Sequence, residues 1–129
     1  MERALVTGCN GFVGRALVGR LISAGYEVWG ADRSAADPSF AGTKYLLGDL
    51  TDEAFVASVL DESKPACIVH LAAQSSVAKS FDEPTETMRD GAAPALHILE
   101  HARQSMSGAR VLLIGSADEY GPVSPAQIP

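Results

Sequence analysis

The 129 residues, 47% hydrophobic and 20% charged, have the length and composition of one globular domain with a real core, which excludes a disordered chain. A net charge of −6, from 10 basic and 16 acidic side chains, excludes a nucleic-acid surface, which needs clustered Lys and Arg. No apolar run approaches the roughly 20 residues of a membrane span, and the N-terminus lacks a basic stretch followed by an apolar core, so the expected location is the cytoplasm.

Apolar runs of strand length alternate with helix-period segments along the whole chain, which predicts an α/β fold built on a parallel sheet covered on both faces. The first strand, residues 3 to 7, runs directly into Gly8, Gly11 and Gly14, and a helix from about 12 to 24 follows. Gly8 lets the chain turn tightly out of the strand, Gly11 removes the Cβ that would keep the backbone from a pyrophosphate, and Gly14 lets the helix pack close to the sheet. The helix then aims its unpaired amides and the positive end of its dipole at phosphate. A second strand, residues 27 to 31, delivers Asp32 where a carboxylate accepts hydrogen bonds from an adenosine ribose. Strand, glycines, helix, strand and acid in this order predict a dinucleotide cradle. NAD is the expected ligand because Asp32 would meet the 2′-phosphate of NADP with a like charge, although Arg33 could pair with that phosphate and keeps NADP possible.

Residues 34 to 42, rich in Ala, Ser, Pro and Gly, predict a surface loop, and residues 43 to 47 a third strand. In Gly48-Asp49-Leu50-Thr51, Asp49 is placed either to meet an adenine amino group, with Leu50 on the ring, or simply to start the next helix. That helix, 52 to 63, has Thr51 as its expected N-cap, with Asp52 and Glu53 favouring the dipole and Pro65 stopping it. The fourth strand, 66 to 71, carries His70, read as a core or supporting residue rather than an acid or base. After it Leu71, Ala72 and Ala73 are small enough to pass beneath a ribose and pyrophosphate, while Gln74, Ser75 and Ser76 offer polar groups to a substrate. A helix over 85 to 105 is interrupted in sequence by Gly91 and Pro94, so a kink is expected there. The fifth strand, 110 to 115, ends at Ser116, read either as a neighbour of the nicotinamide or as a solvent-facing loop serine. Cys9 and Cys67 read as free thiols, the first partly accessible and the second buried. His70, His97 and His101 are too scattered for a metal site.

Together these motifs resemble the extended short-chain dehydrogenase/reductase family, the NAD-dependent epimerases, dehydratases and reductases of nucleotide sugars, over essentially the whole chain. Thr7-Gly8-Cys9-Asn10-Gly11-Phe12-Val13-Gly14 resembles the family's cofactor loop, Asp49-Leu50 its adenine contact, and Leu71-Ala72-Ala73 the loop under the cofactor. Ser116, four residues before Tyr120-Gly121, is similar to the first member of the family's Ser/Thr-Tyr-Lys catalytic set. Within the family, Ile114-Gly115-Ser116 with Glu119-Tyr120-Gly121, and Ala73-Gln74-Ser75-Ser76-Val77, are most similar to GDP-mannose 4,6-dehydratases and the reductases of the 4-keto-6-deoxy sugar.

The resemblance implies a Rossmann-type doubly wound parallel sheet of about five strands, truncated before the last strands. Residues 1–129 would then be an N-terminal dinucleotide-binding portion, with the C-terminal substrate domain absent. It implies NAD contacts from Gly8, Asn10, Gly11, Phe12, Val13, Gly14, Asp32, Arg33, Asp49, Leu50, Leu71, Ala72, Ala73 and Ser75, a catalytic role for Ser116, and no metal. It also implies a nucleotide-sugar substrate, reaction at C4 of a GDP-linked hexose, and a homodimer at full length. Two departures stand out. Gly91 and Pro94-Ala95 replace an Asn and Gly-Thr of the family's fourth helix, and no Tyr-x-x-x-Lys occurs in the 129 residues, Tyr120 matching a non-catalytic Tyr. The expectation is a chain that binds a dinucleotide without turning over a substrate. Two alternatives stand beside it: an enzyme of this fold acting on a non-sugar carbonyl or alcohol, and a non-catalytic NAD(P)-binding sensor module.

Overall fold

The computed structural model describes residues 1–36, 40, 42–73, 77–116, 121, 122, 124 and 126. The elements in order are β1 (Arg3–Thr7), α1 (Phe12–Ser23), β2 (Glu27–Asp32), β3 (Lys44–Leu47), α2 (Glu53–Ser63), β4 (Cys67–His70), α3 (Val77–Asp82), α4 (Pro84–Ser105) and β5 (Arg110–Leu113). The strands form one parallel sheet in the order β3-β2-β1-β4-β5. The central strand β1 pairs Ala4 with Val28 on one side and with Cys67 on the other. The chain therefore winds outward from β1 in both directions, and the topological switch point lies between β1 and β4, where open α/β sheets hold their ligands.

Successive side chains of β1 enter two cores. Leu5 joins Trp29, Ala31 and Ile68 on the face covered by Val56, Val59 and Leu60 of α2 and Ile98 of α4. Val6 joins Val28 on the opposite face, beneath Val18 of α1 and Phe40. Burial of both faces is why Ala4-Leu5-Val6 is apolar without alternation. At the outer edge β5 is less covered, and Leu112, Leu113 and Ile114 are exposed. Among the described residues no helix is long and apolar enough to cross a membrane.

The expected strands and long helices are present, with four corrections. The N-cap of α2 is Asp52, whose Oδ1 accepts from Ala54 N at 3.0 Å; the Thr51 amide is taken instead by Asp49 Oδ1 at 2.9 Å. Asp52 takes the Ala54 amide that a Thr51 cap would have used. The short helix α3 was not expected; the long helix expected over 85 to 105 is present as α4, 22 residues that run through Pro94, whose ring is buried. Packing of α4 on α2 and the sheet offsets the hydrogen bond that proline removes. Cys9 is fully buried rather than accessible, because its Sγ fills the space above Gly30, where an added Cβ would lie 2.7 Å away. That burial pushes the Cys9 thiol up to about 11. Cys67, expected to be buried, is half-exposed at the start of β4.

Candidate cofactor site

The carboxyl ends of β1 to β4 open onto a cleft of about 360 Å³. Its walls are Gly8, Asn10 and Gly11 after β1; Asp32, Arg33 and Ser34 at the end of β2; Gly48 to Thr51 after β3; Leu71 to Ala73 after β4; and Asp90 and Pro94 from α4. A cleft of this size suits a small organic ligand.

The three glycines do different work. Gly8, at φ +68°, donates its N–H to Ala31 O at 2.9 Å, and a Cβ there would stand 2.7 Å from Ala72 N; the residue must be glycine for β1 and the 71–73 loop to meet. At Gly14 a Cβ would lie 2.4 Å from Gly8 O, so α1 could not seat against the loop. Gly11 differs, for its Cβ would meet only Gly8 O, at 3.2 Å, and otherwise points into open space. It is also the N-cap of α1, makes no side-chain cap and is followed by no acidic residue in the first turn. The first amides of α1 are thus left to an anion at the mouth of the cleft, and the cradle fits a pyrophosphate.

At the end of β2 the Asp32 carboxylate is fixed by Asn10 N to Oδ2 at 3.1 Å and by Ser34 N and Oγ to Oδ1 at 3.3 and 3.2 Å. A carboxylate has about four acceptor positions, so some remain for ribose hydroxyls. The Asn10 side chain turns the other way, its Nδ2 within 2.8 Å of Ser34 Oγ and of Ala35 O and 2.9 Å of Tyr45 Oη. Tyr45 Oη in turn donates to Ser34 O. Asn10 and Tyr45 therefore tie the segment after β2 to the glycine loop, and burial pushes the Tyr45 phenol up to about 12, keeping its proton available for that bond.

Asp49 lines the cleft while its Oδ1 accepts from Thr51 N near the start of α2. That backbone hydrogen bond, with the nearby Arg33 and Arg89 guanidinium groups adding, holds its carboxyl below the usual carboxylate range. Leu50 lines the cleft with a side chain rooted in the core, and its carbonyl lies 3.2 Å from His97 Nδ1. After β4 the loop is held by Thr7, whose O accepts from Leu71 N at 3.1 Å and whose Oγ1 accepts from Ala72 N at 3.3 Å. The same Oγ1 is 2.7 Å from His70 Nδ1, while His70 Nε2 is buried without a partner. Burial pushes the His70 imidazole down from its ordinary value, so near neutral pH it supports Thr7 as an uncharged ring.

Of the residues the sequence singles out, Gly8, Asn10, Gly11, Asp32, Arg33, Asp49, Leu50, Leu71, Ala72 and Ala73 surround one cleft. Phe12 and Val13 project into solvent at the start of α1 and are not part of the wall, and Gly14 lies beneath the loop. Ser116 is exposed beyond β5 and is not part of the cleft wall either; Ser75, Gln74, Ser76, Glu119 and Tyr120 lie outside the described residues. The contribution of α4 is the one that the sequence conceals: Asp90 and Pro94, four apart on one helical face, reach a site built otherwise from strand ends.

The model of the NAD dependent epimerase/dehydratase family matches residues 4–129. The chain belongs to this family. Among relatives, the GDP-mannose 4,6-dehydratase of Vibrio cholerae is 36% identical over 116 residues, covering 79% of this chain and 31% of the dehydratase. Among solved structures, the UDP-glucose 4-epimerase of Thermus thermophilus in complex with NAD superposes with a TM-score of 0.74 at 32% identity, covering 80% of this chain and 34% of that one. UDP-glucose 4-epimerase from Brucella ovis in complex with NAD gives a TM-score of 0.85 at 25% identity, with coverage of 96% and 38%. The chain thus spans about a third of the length of the family members it matches. Its five-stranded parallel sheet with flanking helices is the Rossmann-type fold of these epimerases.

Proposed function

We propose that this chain binds NAD in the cleft at the carboxyl ends of β1 to β4, as the dinucleotide-holding portion of an enzyme acting at C4 of a nucleotide-linked hexose. The carrying observation is the uncapped N-terminus of α1 at Gly11, open beside the oriented Asp32 carboxylate. The α1 amides hold the pyrophosphate, Asp32 accepts from the adenosine ribose, Leu50 and Asp49 meet the adenine, and Leu71-Ala72-Ala73 pass beneath the second ribose. Bound NAD supplies a group that takes and returns a hydride. Ser116, past β5, hydrogen-bonds the reacting sugar oxygen and positions it. The identity to a GDP-mannose 4,6-dehydratase supports a GDP-linked substrate. With no Tyr-x-x-x-Lys in its 129 residues, the chain by itself binds the cofactor and turns nothing over. Met88, Leu96 and Leu99, exposed along α4, support self-association as a homodimer in the complete enzyme, and two free cysteines suit a reducing cytoplasm.

Calorimetric titration with NAD, paired with chromatographic analysis of GDP-mannose incubated with the chain and NAD, tests both halves. Saturable NAD binding with the sugar nucleotide unconverted is the expected result. Absence of binding would overturn the cleft assignment, and measurable turnover would overturn the claim of catalytic incompleteness.

A further inference from the structure

Among the described residues that line the cleft, three carboxylates, Asp32, Asp49 and Asp90, face a single cation, Arg33. Arg33 directly follows Asp32, where a guanidinium is placed to receive the 2′-phosphate of NADP. It is not left free to do so. Asp90 reaches across from α4, its Oδ2 3.8 Å from Arg33 Nη1 and its Oδ1 3.1 Å from Arg89 Nε. The two ends of the pair are unlike: the Asp90 side chain is only 11% exposed, held in the wall, whereas the Arg33 side chain is 63% exposed. The carboxylate is the enclosed partner and the guanidinium the exposed one.

We infer that Asp90 is a specificity-determining residue for the cofactor: by engaging Arg33 from α4 it withholds this cleft cation from a 2′-phosphate and so disfavours NADP. This inference rests on the reading of the cleft as a dinucleotide site. Binding of NADP would require Arg33 to leave Asp90, setting that largely buried carboxylate, then held by Arg89 alone, next to a second anion, whereas NAD leaves the pair intact. A neutral side chain at position 90 removes that competition. The effect is electrostatic and partly exposed, so it is moderate and weakens as salt screens it.

The test is calorimetric titration of this chain with NAD and NADP, for the wild type, Asp90→Asn, Arg33→Ala and the double variant. Asp90→Asn is expected to tighten NADP binding by about three- to tenfold more than it tightens NAD binding. Most of that gain is expected to disappear in the Arg33→Ala background and at high salt. Arg33→Ala alone is expected to change NADP binding by less than about twofold, because its charge is already engaged, and this decides the matter should Asp90→Asn fold poorly. Unchanged NADP affinity relative to NAD in Asp90→Asn, a gain of equal size without Arg33, or a large loss in Arg33→Ala would each overturn the inference while leaving the cleft assignment standing. A wild-type chain that binds neither dinucleotide would overturn the assignment and the inference with it.

Discussion

Replacing Gly11 with valine separates ligand binding from folding. The backbone there, φ −69° and ψ 172°, is an extended conformation that valine adopts without strain. The new Cβ would touch only Gly8 O, at 3.2 Å, which a shift of a few tenths of an ångström relieves. The cost to the fold is therefore under about 1 kcal/mol. The valine methyls, however, occupy the mouth of the cradle. Hydrogen bonds to a charged group contribute about 1.5–3 kcal/mol each, so losing two from the pyrophosphate weakens NAD binding by more than about 100-fold. Gly14→Ala is the control with the opposite outcome. Its Cβ would lie 2.4 Å from Gly8 O and 2.7 Å from Cys9 Cα, all of it backbone that cannot yield cheaply, and about 2–4 kcal/mol of stability is lost. Calorimetry with NAD and urea unfolding of both variants provide the readouts. Wild-type affinity in Gly11→Val, or a urea midpoint for Gly11→Val as low as that of Gly14→Ala, would refute the reasoning.

NAD is expected to bind at least about fivefold more tightly than NADP, and Asp32→Ala to narrow that gap, since the like charge facing a 2′-phosphate is removed; equal affinities in the wild type would contradict this. Cys9, buried and with its thiol pushed up to about 11, is expected to resist iodoacetamide in the folded chain and to react once urea unfolds it, as read by mass spectrometry. His70 gives the stability a pH dependence of definite sign. Its folded value lies below the ordinary 6.5, so as pH falls through that value the unfolded chain takes up a proton that the folded chain resists. Stability is thus retained above that pH and lost below it, the urea midpoint falling between about pH 7.5 and 5.5. An equally steep fall in His70→Asn would show that another group is responsible.

The fold was legible because burial on both faces leaves runs such as Ala4-Leu5-Val6 and Ile68-Val69-His70-Leu71 nearly free of polar residues, a pattern that only a covered parallel sheet needs. The cradle was legible because three glycines at fixed spacing serve close backbone approaches, two of which are realised within the chain, at Ala72 and at Cys9. The remainder depended on competition or on distance. Thr51 and Asp52 are both good caps, and only the folded backbone, which brings Asp52 Oδ1 to Ala54 N, decides between them. Cys9 follows a turn residue and gives no sign that its thiol fills the gap above Gly30, 21 positions on. Asp90 sits in a polar helical stretch indistinguishable from a solvated surface, and the loop-to-helix contact that brings it to Arg33 has no local signature. The same holds for His101, which meets Asp61 at 2.9 Å across the α2 and α4 contact.

The position of β1 at the centre of the sheet also sets the timetable of folding during synthesis. Its first neighbour, β2, begins at Glu27, but its second, β4, begins only at Cys67. Parallel strands cannot pair until the whole crossover between them exists. At about 5–20 residues per second, β1 waits several seconds on the ribosome with one hydrogen-bonding edge uncovered. The apolar strand least exposed in the finished domain is the one longest open to a wrong partner, and the pace of translation through α2, rather than any contact in the completed sheet, sets the length of that exposure.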